Sequence, residues 1–222
     1  MCFSATGSFI AAAINGAAGT AALTKVKVGP ESILAGFPLL FAAQQAIEGI
    51  LWLTLPGGTQ TVMDNSLANA FALVALVVWP SLAPLAALTL ERKGGRRVMM
   101  GLLLVSGVAF STFHLAEIFR HPYTAQILGH SIGYSNGMTF PLWAGALYCF
   151  CTCAPLLLSS VRTLRLLGIA VLVGLIVSAS FFYLTLFSVW CSFAALASGL
   201  IFFRAFFELP RLARAPATSD GY

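Results

Sequence analysis

Residues 166–209 form an unbroken apolar run with only two charged side chains, Arg204 and Glu208. As one helix this run would be about 66 Å long at 1.5 Å per residue, roughly twice the hydrocarbon thickness of a bilayer. It must therefore turn back on itself, and the small polar residues between Thr185 and Ser188 mark the place. The same pattern recurs upstream, where apolar stretches of spanning length alternate with short basic clusters. A spanning helix needs about 17–25 mostly apolar residues. On that basis the sequence predicts helices over 3–23, 31–55, 65–90, 98–119, 138–158, 166–185 and 188–209. The expected fold is thus an all-α integral membrane protein, a seven-transmembrane-helix bundle spanning residues 1–209. Residues 210–222 read as a short disordered cytoplasmic tail.

Composition excludes a soluble alternative. Only 9% of the 222 residues are charged and 59% are hydrophobic, with a mean hydropathy of +0.91. A soluble domain carries about 25% charged residues and needs them to cover its surface. The net charge of +5 would suggest nucleic acid in a soluble protein. Here the basic residues cluster between apolar runs, which fits membrane orientation and no nucleic-acid partner. Placing the N-terminus outside puts Lys25, Lys27, Arg92, Lys93, Arg96, Arg97, Arg162, Arg165, Arg204, Arg211 and Arg214 on the cytoplasmic side. Only Arg120 then faces outward, so the C-terminus is expected in the cytoplasm. The first residues lack a basic n-region, so the first apolar segment reads as a retained helix. Helix seven has no lysine for a retinal Schiff base. There is also no phosphate-binding glycine loop, no H-E-x-x-H helix and no ladder of arginines.

Ionisable groups inside spans are costly and mark candidate sites. Gln45, Glu48 and Trp52 share one face of the second helix at i, i+3 and i+7, and Gln44 neighbours Glu48 at i+4. His114, Glu117 and His121 repeat that spacing at the outer end of the fourth helix. His130 and Tyr134 lie in the polar stretch 120–137, Cys2 opens the chain, and Trp190-Cys191 follow the tight turn. With the expected topology these all gather toward the outer face. Histidine, carboxylate and thiolate together suit zinc or another divalent metal, with Cys2, Glu48, His114, Glu117, His130 and Cys191 as candidate ligands. A hydrolytic centre would use Glu48 as base, His130 as acid or ligand and Tyr134 as donor. Gln44, Gln45, Trp52 and Trp190 would then line the pocket for a small-molecule or lipid ligand. Cys2 and Cys191 have three open fates: a disulfide, metal or nucleophile chemistry, or inert thiols. The same histidines and carboxylates also read plainly as solvated or packing groups. The triplet Cys149, Cys151 and Cys153 cannot converge on one ion from a helix, and it reads as packing.

Five strings are specific in combination: MCFSA at 1–5, PLLFAAQQAIEGILWL at 38–53, HSIGY at 130–134, PLLLSS at 155–160 and SVWCSFAA at 188–195. Together they resemble an uncharacterised family of bacterial multi-pass membrane proteins, a domain of unknown function. The resemblance runs over nearly the whole chain. It implies a multi-pass protein of the bacterial inner membrane, and it brings no activity with it. Its strings contain Cys2, Gln44, Gln45, Glu48, Trp52, His130, Tyr134, Trp190 and Cys191, but not His114, Glu117 or His121. A looser similarity to the seven-helix alkaline ceramidase-like zinc hydrolases fails on their paired late-helix histidines, which are absent here. Two other functions stay open at this level: a small transporter or channel with a polar path through helix two, and a non-catalytic membrane subunit or sensor.

Overall fold

The computed structural model describes residues 3–57, 60–138 and 141–210, with the backbone alone at Gly57 and Leu142. Helix α1 (Ala5–Lys25) starts where the Ser4 hydroxyl accepts from the Gly7 amide at 3.1 Å. Its buried residues Ser8, Ala11, Asn15, Gly19 and Ala22 recur every three or four positions. All are small, so α1 lies close along α3. The expected second helix is broken near its start into α2 (Pro30–Ala35) and α3 (Phe37–Thr54). Gly36 and Pro38 account for the interruption, because proline withholds the N–H that would close the preceding turn.

Helix α4 (Val62–Leu73) begins at a capping box. The Asp64 carboxylate accepts from the Thr61 amide at 2.8 Å, and the Asp64 amide donates to the Thr61 hydroxyl at 3.1 Å. The Thr54 hydroxyl also bonds Asp64, which ties the end of α3 to the start of α4. A π-helical turn over Val74–Val78 joins α4 to α5 (Trp79–Leu90). In that widened turn the Trp79 amide reaches back to the Val74 carbonyl. The Ala75 carbonyl would next need the amide of residue 80, which is a proline. It is taken instead by the Tyr148 hydroxyl from α7 (Leu142–Leu158) at 2.9 Å. The Val77 carbonyl accepts from Ser111 of α6 (Gly95–Arg120) at 2.7 Å. Pro84 likewise leaves the Pro80 carbonyl without its helical donor. That oxygen packs so tightly on α6 that a Cβ built on Gly107 would sit 1.9 Å from it. Two prolines in a span thus become the seam between three helices.

Residues 120–137 are expected as an open polar loop, and most of the segment is instead a β-hairpin. Strands β1 (Thr124–Leu128) and β2 (Ser131–Ser135) pair antiparallel, with Ala125 opposite Tyr134 and a turn at Gly129, whose φ is 62°. Ala125 and Ile132 are buried, so the hairpin packs its apolar side onto the bundle. Asn69 of α4 anchors it, accepting from the Tyr123 amide at 2.9 Å and donating to the Tyr123 carbonyl at 3.2 Å. Gln60 adds a bond to the Ala125 carbonyl at 2.8 Å.

Beyond α7, helix α8 (Arg162–Phe181) runs to a reversal at Phe182 and a short 3₁₀ turn, Tyr183–Thr185. Helix α9 (Leu186–Ala197) and α10 (Gly199–Phe203), followed by a second π turn over Arg204–Glu208, complete the chain's described part. The long apolar run does turn back, at residues 182–185. At the end opposite the hairpin, Arg204 forks onto Glu31 with contacts of 2.5 and 3.0 Å and reaches Glu208 at 3.1 Å. Nearby, Glu91 accepts from the Ser159 hydroxyl and the Ser160 amide, each at 2.6 Å. Burial works against ionising Glu91, but those bonds and Arg96 hold its carboxyl below the usual carboxylate range.

Five helical stretches are long and apolar enough to cross a membrane: Pro30–Thr54, Val62–Leu90, Gly95–Arg120, Arg162–Phe181 and Tyr183–Glu208. Helix α1, with 21 residues, and a shorter apolar helix, Trp143–Leu158, complete the bundle. The chain is an almost wholly helical membrane-type protein. Of the tail expected over 210–222, Pro210 is still helical and residues 211–222 lie outside the described residues.

Candidate functional site

Helix α3 carries three fully buried polar side chains, Gln44, Gln45 and Glu48. Nothing about amphipathicity requires them, since apolar residues could fill the same face. Each is held by residues from distant parts of the chain. Gln44 Oε1 accepts from Trp79 Nε1 at 2.9 Å, and its Nε2 donates to Cys191 Sγ at 3.7 Å. Gln45 Nε2 reaches the Ser192 hydroxyl at 3.2 Å and Glu48 Oε2 at 3.3 Å. Tyr134 OH, from the hairpin, lies 3.5 Å from Glu48 Oε1. Its ring stacks on Phe71, centroid to centroid 4.2 Å with planes 4° apart. The hairpin therefore caps the carboxylate, and the row runs inward from Tyr134 through Glu48 and Gln45 to Gln44 and Cys191.

Where that row ends, an apolar cavity begins. It is lined by Phe37 and Phe41 of α3, Trp79 and Ala83 of α5, and Tyr148, Thr152 and Leu156 at every fourth position of α7. Helices α8 and α9 close it with Leu167, Val171, Trp190, Cys191 and Ala194. Its free volume is about 50 Å³. On the same footing a single water needs about 10–15 Å³, so the space suits a small group rather than one solvent molecule. Trp79 stacks on Phe41 at 4.3 Å, and Trp190 meets Tyr148 edge-on at 5.3 Å.

The expected site residues divide sharply. Gln44, Gln45, Glu48, Tyr134, Trp190 and Cys191 come together along this row and cavity. Trp52 is half-buried two turns along α3 from Gln45 and packs against the apolar core. His114 is buried on α6 between aromatic neighbours, 4.2 Å from the Phe110 ring and 5.2 Å from the Phe113 ring. Glu117 turns to Arg120 on its own helix at 3.6 Å. His121 is exposed at the end of α6. His130 is exposed at the hairpin turn, about 13 Å of extended chain from Tyr134. Among the described residues no three histidine, cysteine, aspartate or glutamate side chains gather so as to hold a metal ion. The expected zinc or divalent-metal set is therefore not assembled by Glu48, His114, Glu117, His130 and Cys191. The reason is geometric: these residues are spread over α3, α6, the hairpin and α9, and His114 and Glu117 are drawn to local partners. Cys2, with its expected metal or disulfide role, lies outside the described residues.

Trp79, Tyr148 and Ser192 are functional-type residues missed at the level of sequence. Trp79 carried a usable signal, being an aromatic N–H donor in mid-span immediately before a proline. Ser192 lay inside the SVWCSFAA string without being singled out, and Tyr148 carried no signal, because ordinary packing positions look the same.

The family-level question is settled by sequence similarity over the whole bundle. The model of a family of unknown function, DUF6629, matches residues 1–215. The chain belongs to that family. No curated protein and no solved structure matches it. The match runs from the first residue past the last described helix, so the polar row and the cavity both lie within the family's extent.

Proposed function

We propose that this DUF6629 member is a seven-span membrane protein that holds a small lipid-like molecule inside its bundle. On this reading α1 and α7 are the two further spans. The hairpin end faces outward and the Lys25, Arg92 and Arg204 end faces the cytoplasm, as the distribution of basic residues favours. The resemblance in its sequence strings points to the bacterial inner membrane.

One observation carries the functional reading: an aromatic-lined cavity meets a row of fully buried polar side chains on the same helix. Ligand sites of this kind are mainly apolar, with a few placed polar groups that set orientation. Phe37, Phe41, Trp79, Tyr148 and Trp190 supply the apolar body, and Cys191, which accepts from the Gln44 amide, marks the end where the polar row meets it. A hydrolytic centre is less well supported, because the expected acid His130 sits on the exposed turn. A polar transport path is also disfavoured, since the cavity that continues the row is apolar.

The test is direct. Protein extracted into lipid nanodiscs, then stripped with mild detergent, should retain an amphiphile detectable by native mass spectrometry. Ala194→Phe and Ala83→Phe, which fill the cavity from two helices, should each lose it. Equal retention by wild type and both filled variants, or no retention by any of them, would sink the proposal.

A further inference from the structure

We infer that a groove at the basic end of the bundle, between the turn joining α1 to α2 and the end of the second π turn, holds one anionic phospholipid by its headgroup phosphate. This site is separate from the aromatic cavity and does not rest on the binding role proposed for it.

The groove has a free volume of about 220 Å³, and Lys25, Val26, Lys27, Val28, Glu31 and Leu209 are among the residues that line it. A single water needs about 10–15 Å³ on that footing, so a phosphate with its glycerol has room. The charges on its wall do not cancel. The Glu31 carboxylate is already committed, accepting from Arg204 Nη2 at 2.5 Å and from Nε at 3.0 Å. Among the described residues neither Lys25 nor Lys27 forms an ion pair. Two ammonium groups therefore line the groove without an anion of their own. Hydrogen bonds from Thr163 to Glu208 and from Ser159 to Glu91, each at 2.6 Å, place the start of α8 and the end of α5 at this same end. With them come Arg92, Lys93, Arg96, Arg97, Arg162 and Arg165. The field around the groove is positive, which favours an anion.

The wall is ordered before any ligand arrives. Lys25 Nζ lies 5.2 Å from the centre of the Phe206 ring, and Phe206 stacks on Phe202 at 4.3 Å. The turn itself is clasped by Ser32, whose hydroxyl accepts from the Gly29 amide at 3.2 Å and donates to the Gly29 carbonyl at 2.6 Å. Two features favour a phospholipid over a free phosphate. The spanning stretch Pro30–Thr54 starts at this turn, so the groove sits where a helix leaves the hydrocarbon, at headgroup depth. Apolar side chains also alternate with the lysines: Val28 is fully exposed, and Val26 and Leu209 are partly so. A free phosphate gains nothing from them, whereas a phospholipid lays its acyl carbons there while its phosphate meets the lysines. A zwitterionic headgroup would bring its own ammonium beside Lys25 and Lys27, so the net charge of the lipid decides the match.

The experiment titrates the full chain in detergent with dioleoylphosphatidylglycerol or dioleoylphosphatidylcholine and reads the adducts by native mass spectrometry. One phosphatidylglycerol should bind saturably, at least about fivefold more tightly than phosphatidylcholine. A lysine beside an anionic headgroup is worth about fivefold in affinity, so Lys25→Gln with Lys27→Gln should weaken that binding about 25-fold. Both side chains are exposed, so the melting temperature of this variant should match wild type. Replacing both by arginine should restore the binding. Lys93→Gln with Arg165→Gln removes two charges from the same end outside the groove, and it should change the affinity less than about twofold. The cavity-filling variants Ala83→Phe and Ala194→Phe should bind phosphatidylglycerol as wild type does, whatever becomes of the cavity's own ligand. Equal affinity for the two lipids, or an equal loss in the Lys93 and Arg165 variant, would overturn the inference. Loss of binding in the cavity-filled variants would overturn it by placing the lipid in the cavity. Displacement of the lipid by an excess of inorganic phosphate would do so by making free phosphate the ligand.

Discussion

Gly107 offers the sharpest check on how the bundle is built. A Cβ at this position would lie 1.9 Å from the Pro80 carbonyl oxygen and 2.8 Å from its carbon. Non-bonded carbon and oxygen approach to about 3.3 Å at closest in ordinary packing. Substitution by alanine therefore demands a shift of more than 1 Å between α5 and α6. Both clashing atoms belong to the backbone, and Pro80 has a ring-locked φ, so no side-chain rotation can relieve the contact. Overpacking of this kind costs about 1–3 kcal/mol and occasionally more, and a backbone clash belongs at the top of that range. For a chain of this size a loss of about 3 kcal/mol lowers the melting temperature by roughly 6–12 °C. Gly101 lies on the same helix, and nothing stands within 4 Å of a Cβ built there. Gly101→Ala should raise the melting temperature slightly, since alanine is favoured over glycine in a helix by about 0.5–1 kcal/mol. Thermal unfolding of both variants in the same detergent gives the comparison. Should Gly107→Ala melt no lower than wild type, the proline-carbonyl seam between α5 and α6 is wrong.

Four further outcomes follow from other parts of the molecule. Tyr148→Phe leaves the buried Ala75 carbonyl without its donor, so thermal unfolding should show a loss of about 1–3 kcal/mol. Glu91 should make stability depend on pH in the acid range. Its folded-state pKa lies below the ordinary value of 4.5, so its contribution is present above about that pH. That contribution should fade as pH drops through the lower folded value, and a Glu91→Gln variant should show a flatter acid limb in urea unfolding. Asn69→Ala removes both bonds to the Tyr123 backbone; amide exchange over residues 123–135 should quicken while that of α8 does not change. Tyr123 itself, buried beside Glu117, has its phenol pushed up to about 12, so the same hairpin should loosen in strong alkali as the phenol ionises.

The helices were legible in the sequence because spanning length and hydropathy are local properties of the chain. An apolar run twice the bilayer thickness has to reverse, whatever surrounds it, and the structure reverses it at residues 182–185. The hairpin was not legible as such. Its strands are five residues each, and its stability comes from Asn69, Gln60 and Phe71 on α4 and the loop before it. The sequence also marked Gln44, Gln45 and Glu48, since polar side chains in mid-span are costly wherever they point.

What those side chains meet was decided only by tertiary structure. Trp79 lies 35 residues from Gln44, and Cys191 lies 147 residues away. No spacing rule connects such positions, because they become neighbours only when α3, α5 and α9 pack. The same limit explains the metal set. Topology can assign His114, Glu117 and His130 to one end of the bundle, but an end is an area, not a point. Whether two groups share it within bonding distance depends on helix rotation and on local partners, and here Arg120 and the rings of Phe110 and Phe113 hold them apart. Gln45 and Glu48 were legible together because they share one face of α3, where the period of the helix itself makes them neighbours; Tyr134 and Cys191 joined them only through packing.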